Sequence, residues 1–221
     1  MTAQTQHHAN RKKRLDIVVP LFNEQEVVRQ LHSRLTRTLE QLPFASRIIY
    51  VDDGSSDRTI EKLVETMKGT DCVELIRLSR NFGQTAAIQA GLAAADADAV
   101  VVMDGDLQDP PELIMEMVDH WMMGYEVVIA RRTDRDEGSW YRKKAFQAFH
   151  RFFRWISDFD IPANCGTFCL LDRSAAKSIA HMPEAHRFFQ VCGLGSDLNK
   201  GLWIILDPSE QPAVPNKISR V

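Results

Sequence analysis

Ala99-Val-Val-Val-Met103 runs straight into Asp104-Gly-Asp106-Leu-Gln108-Asp109-Pro-Pro-Glu112, an apolar segment that ends in two carboxylates spaced i, i+2. A continuous Val run fits a strand buried on both faces of a parallel sheet. Acids just past such a strand lie at the carboxyl edge, where open α/β sheets bind ligands. Two hard oxygen ligands suit Mg2+ or Mn2+, which keep waters and take further ligands from substrate phosphates. The alternative is a solvated turn with helix-capping Asp.

Outward from this stretch, strand-like and helix-like patterns alternate from residue 15 to about 180. Leu15–Pro20, Arg47–Val51, Val73–Leu78 and Tyr125–Ala130 read as further strands. Glu24–Leu42 carries apolar residues near helical period, Asp57 caps a helix to about Met67, and Gln84–Ala95 is an Ala-rich helix. Pro110-Pro-Glu112 opens another, since proline in a first turn forfeits no helical hydrogen bond. Repeated βα units with short connections predict an α/β fold, a mostly parallel central sheet flanked by helices in one domain.

Composition narrows the function classes. A chain of 221 residues that is 44% hydrophobic buries a full core in a single domain. A net charge of −3 supplies no global field for nucleic acid, so none is expected as a partner. The four cysteines lack zinc-site spacing and read as buried thiols in a reducing compartment. Residues 1–14 are polar and basic without a following apolar stretch, which predicts a flexible arm and not a signal peptide. No run of 18 apolar residues occurs, so no transmembrane helix is expected.

Every candidate functional residue follows a strand. Pro20, Phe22, Asn23 and Glu24 follow the first, and Asp52 and Asp53 the second. Arg80, Asn81 and Gly83 follow the third; Asp104, Asp106 and Gln108 the fourth; Arg131 and Arg132 the fifth. Taken singly, Asp52–Asp53 reads as turn capping, Arg131 as a surface charge and Glu24 as a first-turn helix acid. Taken together, acids for a base or ribose, acids for a metal and arginines for phosphate describe a nucleoside-diphosphate pocket. Neither a G-x-x-x-x-G-K-[ST] loop nor a G-x-G-x-x-G after a strand is present, which disfavours P-loop and dinucleotide-binding enzymes.

Val19-Pro-Leu-Phe-Asn-Glu24, Val51-Asp-Asp-Gly-Ser-Ser-Asp-Arg-Thr59 and Met103–Glu112 closely resemble family-2 inverting glycosyltransferases of the GT-A fold. Ser79-Arg-Asn-Phe-Gly-Gln-Thr-Ala-Ala-Ile-Gln-Ala-Gly-Leu92 resembles the branch that loads sugars onto polyprenyl phosphates, as bactoprenol glucosyltransferases and dolichol-phosphate mannosyltransferase do. The resemblance covers about residues 15–189. It implies a nucleotide-sugar donor (UDP-glucose-like favoured, GDP-mannose possible), a polyprenyl-phosphate acceptor and Mg2+ or Mn2+. Pro20, Phe22, Glu24, Asp52, Asp53, Asn81, Gly83 and Asp104 would hold the nucleotide-sugar. Asp104, Asp106 and Gln108 would hold the metal and diphosphate, and Arg131 would meet phosphate charge. The implied reaction is a single in-line displacement at the anomeric carbon, and Asp104, Asp106 and Arg131 carry it.

Trp140–Ile156 contains five Lys/Arg, no acid and seven of the chain's 18 aromatics. On a helical wheel its aromatic and basic residues separate, which suits the plane of an anionic membrane surface or, alternatively, packing on the sheet. With the resemblance, a helix over 140–157 is expected to dock beside the acceptor site at the cytoplasmic membrane face. Arg132, Arg142, Lys143 and Arg187 are the acceptor-side or membrane-side candidates.

Two departures stand out. Where the family typically carries Gly-Asp-Phe-Arg-Leu-Leu, this chain has Gly166-Thr-Phe-Cys-Leu-Leu171, with Thr167 for the acid and Cys169 for the arginine. Past Gln190 the family pattern stops. Suitable codons for Gln190–Leu198, read two nucleotides later, give the family-like Gly-Leu-Trp-Val-Gly-Phe-Gly-Ser. The expectation is a frameshift near Gln190 and a tail over 190–221 without a selected fold, which the gene sequence tests. A catalytically impaired nucleotide-sugar-binding remnant, or transfer to a saccharide, are the alternative functions.

Overall fold

The computed structural model describes residues 13–70, 72–131, 165–181 and 203–206. In chain order its elements are β1 (Arg14–Leu21), α1 (Val28–Leu39), β2 (Ala45–Asp52), α2 (Thr59–Thr66), β3 (Val73–Arg77), α3 (Gln84–Ala94), β4 (Ala99–Val102), α4 (Leu113–Met122), β5 (Val127–Arg131), β6 (Cys165–Asp172), α5 (Arg173–His181) and β7 (Trp203–Leu206). The strands form one seven-stranded sheet in the order β3-β2-β1-β4-β6-β5-β7. All neighbours are parallel except those of β6, which runs antiparallel between β4 and β5.

The Val run of β4 is buried along its whole length, as a strand covered on both faces must be. Ile17, Val19, Val101 and Met103 pack against Leu31 and Leu35 of α1, Leu63 of α2 and Ile114 and Met117 of α4. On the opposite face Val18, Val51, Val100 and Val102 meet Ala87, Ile88 and Leu92 of α3 and Ala175 and Ile179 of α5. The result is three layers, helices on both sides of the sheet. His32 Nδ1 and the Tyr50 hydroxyl bury together at 3.2 Å. Burial lowers the pKa of His32 and raises that of Tyr50, so both are neutral in the core.

From β1 the chain moves outward through β2 and β3, then crosses back to place β4 on the other side of β1. The crevice between the carboxyl ends of β1 and β4 is therefore the topological switch point, where ligands of such sheets bind. The opposite end of the sheet is closed by ions. Asp16, 3% exposed, accepts hydrogen bonds from Arg47 Nε (3.1 Å) and Nη2 (2.7 Å) and from the Asp96 and Ala97 N–H groups.

Three sequence expectations are corrected: the start of the first helix, the cap of the second and the burial of Cys72. The first helix begins at Val28 and not Glu24, because Gln25 is committed elsewhere: its N–H donates to Asp57 Oδ2 and its Oε1 accepts from Arg58 N–H. Asp57 prepares the next helix by accepting from both the N–H and hydroxyl of Thr59, while the helix's own cap position is Arg58. Cys169 is buried as expected, whereas Cys72 is exposed. Within the C-terminal stretch expected to lack a fold, Trp203–Leu206 pairs parallel with β5 as β7. The remainder of 190–221, residues 1–12 and the helix expected over 140–157 lie outside the described residues.

Candidate active site

The loops after β1, β2 and β3 are stapled to one another by groups that the sequence presents as turn formers. Asn23 adopts a left-handed φ of 56°, its N–H donates to Ser55 Oγ and its Oδ1 accepts from Ser56 N–H, each at 2.9 Å. Lys62 Nζ donates to the Gln25 carbonyl at 2.8 Å. Asp52 is fully buried and accepts from Ser55 N–H at 3.1 Å. Asp53, 3% exposed, receives Phe82 N–H on Oδ1 at 2.7 Å and Gly83 N–H on Oδ2 at 2.9 Å. Asn81 Oδ1 shares that Gly83 N–H at 3.0 Å. Gly54, at φ 73°, lets the second loop press on the third, since a Cβ there would come within 2.5 Å of the Arg80 carbonyl carbon.

The acidic loop after β4 descends on the end of β1. A Cβ at Gly105 would stand 2.5 Å from Leu21 Cδ2 and 2.9 Å from the Pro20 oxygen, so only glycine permits this approach. Asp106 Oδ1 accepts from Gln108 N–H at 3.0 Å, a turn that leaves Leu107 at φ 62°. Asp104 Oδ1 accepts twice, from Gln84 Nε2 and from Thr167 Oγ1, each at 2.6 Å. Across the crevice Glu24 has a raised pKa, first because burial disfavours its carboxylate and then because the Asp106 and Asp57 charges repel it. Phe22 stands 43% exposed at the rim.

The edge thus gathers Pro20, Phe22, Glu24, Asp52, Asp53, Asn81, Gly83, Asp104, Asp106 and Gln108, Pro20 and Asp52 in the last residues of β1 and β2 and the others on the loops that follow β1 to β4. Asp52 and Asp53 bond to loop backbone there, the turn-forming role that sequence offered as their alternative. Arg131 is the last residue of β5 at the same edge. Arg132, Arg142, Lys143 and Arg187 lie outside the described residues. Sequence reasoning did not connect Gln84 or Thr167 to Asp104. Gln84 had a signal, as the residue after a left-handed Gly83 at a helix start in a motif already singled out. Thr167 had only its place in the Gly166–Leu171 motif, because it reaches this edge through the antiparallel course of β6, which brings that strand's start to the end of β4.

Among the described residues no three His, Cys, Asp or Glu side chains form a metal-holding group of their own. Among them too, no helix is long and apolar enough to cross a membrane.

The model of a glycosyl transferase family, family 2, matches residues 16–180. An uncharacterized glycosyltransferase of Bacillus subtilis is 41% identical over 172 residues, covering 78% of this chain and 53% of the relative. A bactoprenol glucosyl transferase of Shigella phage SfV is 33% identical over 178 residues, covering 80% of this chain and 58% of the relative. The chain spans about half the length of the curated relatives it matches. Among solved structures, glucosyl-3-phosphoglycerate synthase from Mycobacterium tuberculosis, in complex with Mn2+, uridine diphosphate and phosphoglyceric acid, superposes with a TM-score of 0.64. It is 15% identical, with 88% of this chain and 68% of that one covered, a likeness of fold alone, and that fold is GT-A.

Proposed function

The chain belongs to glycosyl transferase family 2, and from that premise we propose that it transfers a hexosyl group from a nucleotide-diphosphate sugar to a polyprenyl phosphate with inversion. The observation that carries the reading is the acidic pair Asp104 and Asp106 on the loop after β4, which closes on the end of β1 at the switch point. A UDP-glucose-like donor is favoured over GDP-mannose. Asn81-Phe-Gly-Gln84 and Asp106-Leu-Gln-Asp109 look closer to the bactoprenol branch, and the phage relative supports the same choice.

The donor set fits a hard divalent cation, Mg2+ or Mn2+. Asp104 and Asp106 offer carboxylate oxygens and Gln108 an amide oxygen, and the repulsion that Glu24 feels from Asp106 marks a concentration of negative charge. When bound, the ion offsets the charge that develops on the departing nucleotide diphosphate. Pro20, Phe22, Glu24, Asp52, Asp53, Asn81 and Gly83 hold the nucleotide, on loops kept rigid by the Asn23–Ser56 and Asp53–Gly83 bonds. Arg131 meets phosphate charge from the end of β5. An acceptor phosphate oxygen attacks the anomeric carbon as the bond to the diphosphate oxygen breaks. That oxygen is already anionic at neutral pH, so no strong general base is required.

The amphipathic 140–157 segment supports a peripheral position at an anionic, cytoplasmic membrane face, with Arg132, Arg142, Lys143 and Arg187 toward the acceptor. One assay tests the whole reading: radiolabelled sugar transfer from UDP-glucose and from GDP-mannose to a short polyprenyl phosphate carried in anionic or neutral vesicles. Transfer from the uridine donor, faster in anionic vesicles, is expected, and Asp106→Asn is expected to lose at least about a hundredfold. An Asp106→Asn enzyme within a few-fold of wild type removes the metal assignment. Calorimetric UDP binding without any transfer favours the impaired-remnant reading, which Thr167 and Cys169 motivate.

A further inference from the structure

Asp104 is held by two elements far apart in the chain that share the α3-side core of the sheet. Gln84 opens α3, and Thr167 lies near the start of β6, yet both direct a donor at the same Asp104 oxygen, each at 2.6 Å. An ionised carboxylate only accepts, so the Gln84 amide N–H and the Thr167 hydroxyl must be the donors. An O–H···O distance of 2.6 Å falls in the range of charge-assisted bonds, about 2.5–2.7 Å. The two donors are unequal in setting. Gln84 is exposed on a first helical turn, whereas Thr167 is partly buried on the central sheet, beside the fully buried Phe168.

The chemistry of position 167 sharpens the point. A carboxylate there would face Asp104 with like charge at hydrogen-bond range. Strand alternation puts residues 167 and 169 on one face of β6. The residue at 169 is Cys169, 2% exposed in an apolar cluster with Val102 and Ile129, not a cation. Thr167 and Cys169 therefore form a neutral combination: the hydroxyl donates to the acid and the thiol side chain fills the core below it.

We propose that Thr167, seconded by Gln84, is the positioning residue that aims the Asp104 carboxylate at a divalent cation and the donor diphosphate. This rests on the reading of Asp104 and Asp106 as the metal edge. Groups that orient a metal ligand by hydrogen bonding typically affect metal affinity about 10–100-fold. The role makes Thr167 a substitute for charge: it orients the acid without adding a further carboxylate to an edge that already holds Asp104 and Asp106.

The test is Mn2+ binding, followed by electron paramagnetic resonance in the presence of UDP and, separately, of GDP, on the whole chain. Thr167→Val is expected to weaken Mn2+ about tenfold, while Thr167→Ser stays within about twofold of wild type. Nucleotide affinity without metal stays unchanged in both, and the unfolding temperature falls only in Thr167→Val, by the small shift expected of one lost hydrogen bond. Gln84→Met, on an exposed turn, weakens Mn2+ in the same direction and decides the matter should Thr167→Val not fold. Wild-type Mn2+ affinity in Thr167→Val and Gln84→Met, with Asp104→Asn deficient, overturns the proposal and leaves the metal edge standing. Equal losses in Thr167→Val and Thr167→Ser overturn it too, since the hydroxyl would then be irrelevant. Wild-type affinity in Asp104→Asn and Asp106→Asn removes the metal edge itself, and this proposal with it.

Discussion

At Glu24, burial disfavours the ionised carboxyl, and the charges of Asp106 and Asp57 oppose it further, so its pKa lies above the ordinary carboxylate value. The native state therefore holds the Glu24 proton more tightly than the unfolded chain does. Its stabilising effect is complete below the unfolded carboxylate range and disappears as pH rises through the raised native value. Asp57 runs the opposite way. Burial works against its charge, but the Thr59 hydroxyl and the N–H groups of Thr59 and Gln25 outweigh it and lower the pKa, so its contribution is lost as pH falls. Glu24→Gln copies the protonated acid. Without divalent cations it is expected to raise the unfolding temperature at pH 7 by up to about 3 °C, the scale of 1 kcal/mol in a domain of this size. Near pH 4 the gain should vanish. Thermal melts at both values check it, and a gain that persists at low pH would show that the effect is not the ionisation of a buried, repelled Glu24. A polar edge arranged for a charged ligand is thus mildly unstable by itself.

Helix α3 joins the site's loops to the sheet, and its seat depends on a missing side chain. Gly91 lies inside the helix, where Ala is ordinarily better by up to about 1 kcal/mol. Here an added Cβ would stand 2.3 Å from Val18 Cγ1 and 3.1 Å from Val51 Cγ2. Both are branched side chains of central strands with little room to turn, and overpacking of that kind costs about 1–3 kcal/mol. The steric term wins, so Gly91→Ala is expected to lose about 1–2 kcal/mol, read as a lower urea midpoint at constant slope. A raised midpoint would mean that α3 rides higher on the sheet. The same scale shows what was legible beforehand. Strands β1 to β5 were readable to within about two residues, because buried runs and turn residues are local signals. The start of α1 was not, since it is set by Gln25 bonding to a loop some 30 residues away. Nor was the direction of β6, which no periodicity encodes. The site's acids were legible as an edge from strand ends alone. Their partners were not, because the Thr167–Asp104 bond joins residues 63 apart along a strand whose polarity was unknown.

Across the whole molecule, the two ends of the sheet separate stability from function. At the carboxyl edge Glu24 is opposed by the like charges of Asp106 and Asp57, with the Arg77–Asp52 pair at 3.5 Å to one side. At the other end charged groups alternate in sign: Arg47 joins Asp16 at 2.7 Å, Glu74 at 2.9 Å and Asp96 at 3.2 Å, and Arg14 meets Asp96 at 3.0 Å. Most of these pairs are exposed and contribute little, since Asp96 is 65% exposed. Asp16 differs, as it is buried and carries two Arg47 donors and two backbone N–H groups. Removing one member of such a pair leaves its partners unsatisfied, at a cost of roughly 3 kcal/mol. Asp16→Ala is therefore expected to lower the urea-derived stability by about that amount. Yet β1 stands between the two ends as a rigid strand paired on both sides, and Asp16 and Pro20 bracket most of its length. Below its melting range the variant should bind UDP with Mn2+ as wild type does. Asp106→Asn should behave in reverse, keeping or slightly raising its urea midpoint, since it relieves the charge opposing Glu24, while losing metal-dependent binding. Weakened nucleotide binding in folded Asp16→Ala would show that strain passes along β1 from the ionic end to the edge, and that the two ends are one cooperative site.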